Sequence, residues 1–260
     1  MSRRSSRRDF LTDATLLGLA LVALPARPAR AFGEDGAFNP RPLLTGRSAF
    51  EGVRATSPAR WSRELVNRTS APARLAPTPV RADDDALWSE PFAYLSGDAA
   101  LAPFTDSEIA HLRRFFAEGG VLFVDDAAPE TGVFGRDAKR ELARVLPDAA
   151  PIALGTEHVV FRTFYFIRRP FGRLEGPPKL EAIVRGGNAQ VIFSAHDLGG
   201  ALAQSAGGMW SVPVAPGGEI QRERAIRLAV NIAMYVLCSN YKDDQVHAPF
   251  LMRRRAIDVP

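Results

Sequence analysis

Between residues 57 and 239 the chain alternates short, wholly apolar runs with stretches in which apolar residues recur every three or four positions. A strand buried on both faces leaves the first pattern, and one face of a helix leaves the second. Ser57-Pro58 opens the first helix, since serine suits the N-cap and proline the first turn, and Trp61 and Leu65 then share a face. A proline-rich link (Pro72, Pro77, Pro79) leads to Phe92-Ala93-Tyr94-Leu95, a buried strand that Ser96-Gly97-Asp98 ends. Thr105-Asp106-Ser107-Glu108 is a capping box, followed by the apolar stripe Ile109, Leu112, Phe115 and Phe116. Gly119-Gly120 stops that helix, and Val121-Leu122-Phe123-Val124 follows as a strand for the centre of a parallel sheet. A further helix is predicted from about Arg136 to Leu146, with Leu142, Val145 and Leu146 inward and Pro147 beyond its end. Leu180 to Ser194 reads as a hairpin turning at Gly186-Gly187-Asn188, with Val191-Ile192-Phe193 as its buried arm. The last helix, from about Glu219 to Ser239, carries Leu228, Ile232 and Tyr235 on one side. Strands and helices in this alternation predict an α/β fold with a mainly parallel sheet.

The first 31 residues break the pattern. Arg3, Arg4, Arg7 and Arg8 precede an apolar run from Ala14 to Leu24, Pro25 breaks it, and Ala29-Arg30-Ala31 offers small residues for cleavage after Ala31. The run is too short for a membrane-spanning helix, which needs about 20 apolar residues. Ser6-Arg7-Arg8-Asp9-Phe10-Leu11 resembles the twin-arginine export signal, in which paired arginines precede phenylalanine and leucine. The twin-arginine translocase is then the partner during export, and the mature protein is expected in the periplasm or outside the cell.

That leader changes the meaning of the charge. The chain of 260 residues carries 33 Lys+Arg, 29 Asp+Glu and a formal charge of +4, with a pI near 9.6. Without residues 1–31 it holds 27 basic and 27 acidic residues and is formally neutral. The basic excess is an address label, so no nucleic-acid partner is expected. No linker, internal repeat or second long apolar stretch follows, which predicts one domain over 32–241, a tail over 242–260 and no transmembrane helix in the mature chain. The single cysteine, Cys238, excludes an intramolecular disulfide and a multi-thiolate zinc site, and its neighbours Tyr235, Val236 and Leu237 predict a small buried thiol.

Ligands of open α/β sheets sit beyond the carboxyl ends of the strands. Acids follow two strands there, Asp98 and the pair Asp125-Asp126, and His196-Asp197 follows a third. Neighbouring carboxylates suit a metal or an acid/base pair, and equally suit a turn cap beside a solvated acid. His158 completes the set for a candidate pocket, although no H-x-x-x-H or H-E-x-x-H spacing supports a metal site. His111 and His247 are expected at the surface, as is the charge run Arg253-Arg254-Arg255. Gly46-Arg47-Ser48-Ala49-Phe50 lacks the second glycine of a nucleophile elbow. The pairs Gly199-Gly200, Gly207-Gly208 and Gly217-Gly218 fit no phosphate-binding motif and predict a mobile loop around Met209-Trp210, which is either a ligand anchor or a core tuck.

The motif order resembles the bacterial domain-of-unknown-function family 4159, whose fold is related to class I glutamine amidotransferases. The residues concerned are Pro91 to Gly97, Glu108 to Leu112 leading to Gly119-Gly120, and Phe123-Val124-Asp125-Asp126. Phe134, Arg140, Leu146-Pro147, His158, Phe164-Tyr165, Asp197-Leu198-Gly199, Asn231 and Tyr235 continue the match over roughly residues 38 to 240. The resemblance implies a three-layer flavodoxin-like sandwich with the hairpin added to its sheet, and it assigns neither activity nor cofactor. Glutamine amidotransferases use a cysteine on a nucleophile elbow with a histidine and a glutamate downstream, which Cys238 does not match. The resemblance implies a histidine after the glycine corresponding to Gly97 in many relatives, and Asp98 at that place here weakens a metal or acid/base role centred there.

Two functions remain open at the level of sequence. One is a non-catalytic binding or scaffold domain that meets protein or carbohydrate through its strand-end loops, with no cofactor, metal ligand or catalytic residue assigned. The other is an exported metal-assisted hydrolase using Asp125, Asp126 and His196.

Overall fold

In the computed structural model, residues 36–257 are described, with side-chain surroundings through Ser239. The export signal, with Arg7, Arg8 and Ala31, lies outside the described residues, as do the side chains of His247 and Arg253-Arg254-Arg255. Seven strands form one sheet: β1 (Arg41–Leu44), β2 (Val80–Arg81), β3 (Phe92–Gly97), β4 (Val121–Asp126), β5 (Ile152–Ala153), β6 (Glu181–Arg185) and β7 (Asn188–Ser194). Their order across the sheet is β2-β1-β3-β4-β7-β6-β5. β2, β1, β3, β4 and β7 are joined by parallel pairs, whereas β5–β6 and β6–β7 are antiparallel. The helices are α1 (Ser57–Thr69), α2 (Asp106–Ala117), α3 (Val133–Val145), α4 (Leu198–Leu202) and α5 (Gly218–Ile257).

Strand alternation divides the core into two layers. Tyr94, Phe123 and Ile192 face α1, α4 and α5, where Trp61, Leu198, Leu228 and Ile232 are buried. Leu95, Leu122 and Val124 face the other way, against Leu112 and Phe116 of α2 and Leu142 of α3. Trp61 anchors the first layer: its ring meets Phe92, Tyr94 and Phe123 edge-on, and its Nε1 donates to the Ala229 carbonyl at 2.7 Å. A buried indole needs such an acceptor, and α5 supplies it.

The capping box forms as expected. Thr105 Oγ1 accepts from the Glu108 amide at 3.2 Å, and Glu108 Oε2 accepts from the Thr105 amide at 2.8 Å. Gly186 and Gly187 both take positive φ, 57° and 83°, at the β6–β7 turn, the conformation that a two-residue hairpin with right-handed twist requires. α3 begins at Val133, one turn earlier than the periodicity predicts, and α5 continues past Ser239 to Ile257, through the residues expected as a tail.

Two local expectations are corrected. Cys238 is exposed, because it lies where the packed part of α5 ends, with Leu237 and Ser239 beside it only half-buried. The glycine-rich segment after β7 is tied down. Residues 198–202 form α4, Ser205 donates to the Met209 carbonyl at 2.8 Å, and Arg222 donates to the carbonyls of Ala201 and Val212. Trp210 packs against the guanidiniums of Arg60 and Arg222, 5.1 and 4.3 Å from its ring, and Met209 stays 74% exposed.

Candidate functional site

β4 runs through Asp126, two residues beyond the apolar stretch that predicts it, and this decides the fate of the acid pair. Successive side chains on a strand point to opposite faces. Asp125 therefore enters the α1–α4–α5 layer and Asp126 the α2–α3 layer. Asp125 is wholly buried. Its Oδ1 accepts from the Leu198 amide at 3.0 Å, and its Oδ2 accepts from the Gly199 amide at 2.8 Å and the Tyr94 hydroxyl at 3.2 Å. Burial and the neighbouring charge of Asp197 push its pKa up to about 7, against the pull of the Gly199 and Leu198 amides. Burial likewise raises the Tyr94 phenol well above its ordinary value, so it stays a donor. Gly199 is obligatory at this point, since a Cβ there would collide with the Tyr94 hydroxyl.

Asp197 caps α4 from a left-handed conformation with φ 54°, and it too is fully buried. Its Oδ1 accepts from Arg54 Nε at 2.7 Å and from the Gly200 amide at 2.9 Å. Its Oδ2 accepts from Arg54 Nη2 at 2.7 Å and from Arg173 Nε. Arg54 also reaches the Ala127 carbonyl at 3.1 Å and lies 3.7 Å from the carboxylate of Asp98, which is two-thirds exposed at the rim. The hydrogen bonds to Asp197 raise the Arg54 pKa further, so its charge is permanent. Two guanidiniums thus clamp one buried carboxylate, and the Arg54 side chain closes over the carboxyl ends of β3 and β4.

His196 lies beneath the 172–177 segment with 1% exposure. Its Nε2 donates to the Pro177 carbonyl at 2.9 Å, and its Nδ1 faces Ser194 Oγ at 3.4 Å. Burial lowers its pKa to about 4, so it is neutral near pH 7. Ser194 pairs in register with Asp125 across β4–β7, which brings Asp125 and the Ser194–His196 pair to neighbouring strand ends.

Asp126 accepts from the Ala128 amide at 3.0 Å and from the Gly135 amide, in the first turn of α3, at 3.1 Å. It lines an open cleft of about 230 Å³ with Arg136, Lys139, Lys179 and Phe193. His158 is elsewhere. It caps the turn Val159–Phe161, and its ring packs at 5.9 Å, tilted by 55°, against Tyr235, whose hydroxyl accepts from the Ala189 amide at the start of β7. That is the amino end of the strand that has Ser194 at its carboxyl end. The structure therefore joins Asp98, Asp125, His196 and Asp197 on one side of the sheet edge, places Asp126 on the other, and removes His158. Among the described residues, no three His, Cys, Asp or Glu side chains converge in an arrangement that would hold a metal ion.

Sequence reasoning missed Arg54, Arg173, Ser194 and the cleft cations. Tyr94 was the legible signal, because a tyrosine in a strand buried on both faces must find a hydrogen-bond partner inside the protein.

The fold and this edge define a layered α/β domain whose strand-end carboxylates are engaged by donors from its own chain. Within that class, the chain belongs to the family described as Domain of unknown function (DUF4159), whose model matches residues 43–237, from β1 into α5. No curated protein matches the chain.

Proposed function

We propose that this is an exported, non-catalytic binding domain, carried to the periplasm or beyond by the twin-arginine route and contacting its ligand at the carboxyl edge of the sheet. We also infer that the sandwich is of the flavodoxin-like type related to class I glutamine amidotransferases. The run β2-β1-β3-β4-β7 supports this, since it matches the strand order 2-1-3-4-5 of that type. The reading as a binding domain rests on one observation: Asp125 and Asp197 are fully buried and bonded to their own chain. A general acid or nucleophile has to reach a substrate, and these two carboxylates instead hold α4 and the Arg54 loop in place.

The alternative hydrolase needs Asp125 and Asp126 to act together, and they serve opposite faces of β4. Metal analysis of the mature protein purified without a tag separates the two readings. The binding-domain reading expects no stoichiometric divalent ion. An ion bound one-to-one and lost in Asp126→Ala would overturn it.

A further inference from the structure

The cleft on the α3 side of the sheet edge takes no part in the buried acid network, and its charges are arranged differently. Arg136 and Lys139 stand one turn apart on α3 and form one wall, while Lys179 comes from the opposite wall. Asp126 and Glu181 contribute the negative charges. Both acids are engaged: Asp126 by the Ala128 and Gly135 amides, and Glu181 by Lys139. The Arg136 side chain makes one hydrogen bond, to the Thr131 carbonyl at 3.0 Å, and neither it nor Lys179 has a carboxylate partner among the described residues. Two cations without counter-charge therefore face one concavity, and the buried ring of Phe193 floors it beneath the Lys139 ammonium, 5.7 Å away. The first turn of α3 is not what would recruit a ligand here, because Asp126 already occupies its Gly135 amide.

We propose that this cleft binds a small organic anion, a carboxylate or phosphate group on a body no larger than a monosaccharide. Arg136 and Lys179 would hold the charged group, and the apolar side of the body would rest against Pro129, Pro177 and the accessible edge of Phe193. The volume sets the size: about 230 Å³ is below the roughly 300 Å³ at which pockets for drug-sized molecules begin. Guanidinium and ammonium donors in a partly enclosed site favour an anion because charge-assisted hydrogen bonds are about twice as strong as neutral ones. The inference rests on the reading of the protein as a binding domain and names the chemistry of the ligand.

The test is calorimetric titration of the mature protein with glucuronate, glucose 6-phosphate, inorganic phosphate and neutral glucose. Glucuronate or glucose 6-phosphate should bind, more weakly as salt rises, and R136Q and K179Q should each reduce the affinity about tenfold. E181Q frees Lys139 and should tighten binding. All three positions are at the rim, so unchanged thermal unfolding checks that the variants remain folded. Binding of neutral glucose with equal affinity, binding of inorganic phosphate alone, no binding at millimolar concentration, or variants that bind like the parent would each overturn the assignment. Chemical conversion of a bound sugar would overturn the non-catalytic reading and leave the anion site standing.

Discussion

Asp125 and His196 are both buried at the carboxyl edge of the sheet, yet their environments push protonation in opposite directions. Asp125 is raised from 3.8 to about 7, so the folded protein keeps a proton that the unfolded chain releases above about pH 4. Its contribution is favourable at low pH and is lost as pH rises toward 7. His196 is lowered from 6.5 to about 4, so the unfolded chain takes up a proton that the folded protein refuses. That contribution is complete above about pH 6.5 and is lost as pH falls through 4. Between pH 4 and 6.5 the two slopes oppose one another in the parent protein. Urea unfolding across this window should show Asp125→Asn gaining stability relative to the parent as pH rises, and His196→Gln losing it. Each difference approaches about 1.4 kcal/mol per pH unit at most. Parallel profiles for all three proteins would refute the assignment of these protonation states. None of this was legible from the residues, because burial and a neighbour on another strand set both shifts.

At the scale of elements, Glu108 carries two roles that the sequence shows only in part. The capping box is readable from Thr105 and Glu108, three residues apart. The structure adds that Glu108 Oε1 also accepts from the Gly46 amide at 2.6 Å, which ties the start of α2 to the loop after β1. Thr105→Ala should cost about 1 kcal/mol in chemical unfolding, the usual value of a lost N-cap. Glu108→Ala should cost more, because it also leaves the Gly46 amide without its acceptor. Equal losses would mean that the Gly46 contact contributes nothing. The elements legible in the sequence are those with long or capped patterns: α1, α2, α3, α5 and the strands β3, β4, β6 and β7. β1, β2 and β5 escaped because Arg41–Leu44, Val80–Arg81 and Ile152–Ala153 are too short to show alternation, and pairing with neighbours makes them strands. α4 escaped because its glycines read as loop residues. They are there because Tyr94 and Asp197 pass too close for any side chain.

For the whole molecule, the proposed export signal leads to a direct experiment. Replacing Arg7 and Arg8 together by lysine preserves charge and should still hold the full-length precursor in the cytoplasm, as read by cell fractionation. Export of that variant at the parent's rate would exclude the twin-arginine route. The neutral balance of 27 basic and 27 acidic residues in 32–260 bears on the surface as well. With no net field to draw a charged ligand, recognition has to come from local charge, as at the α3 cleft.

The sequence by itself determined the α/β class with a mainly parallel sheet, most of the helices and central strands, and the location of acids at strand ends. Those features depend on periodicity, caps and turn chemistry, which act over a few residues. Only the tertiary structure decided what the acids do. Asp125 and Asp126 are neighbours in the chain, but the pleat of β4 sends one to α4 and the other to α3. Arg54 and Asp197 are far apart in sequence and meet because β1 and β7 flank the same two central strands. Whether a carboxylate reacts or holds the fold together depends on burial and on partners from distant strands, and a linear pattern does not carry that information.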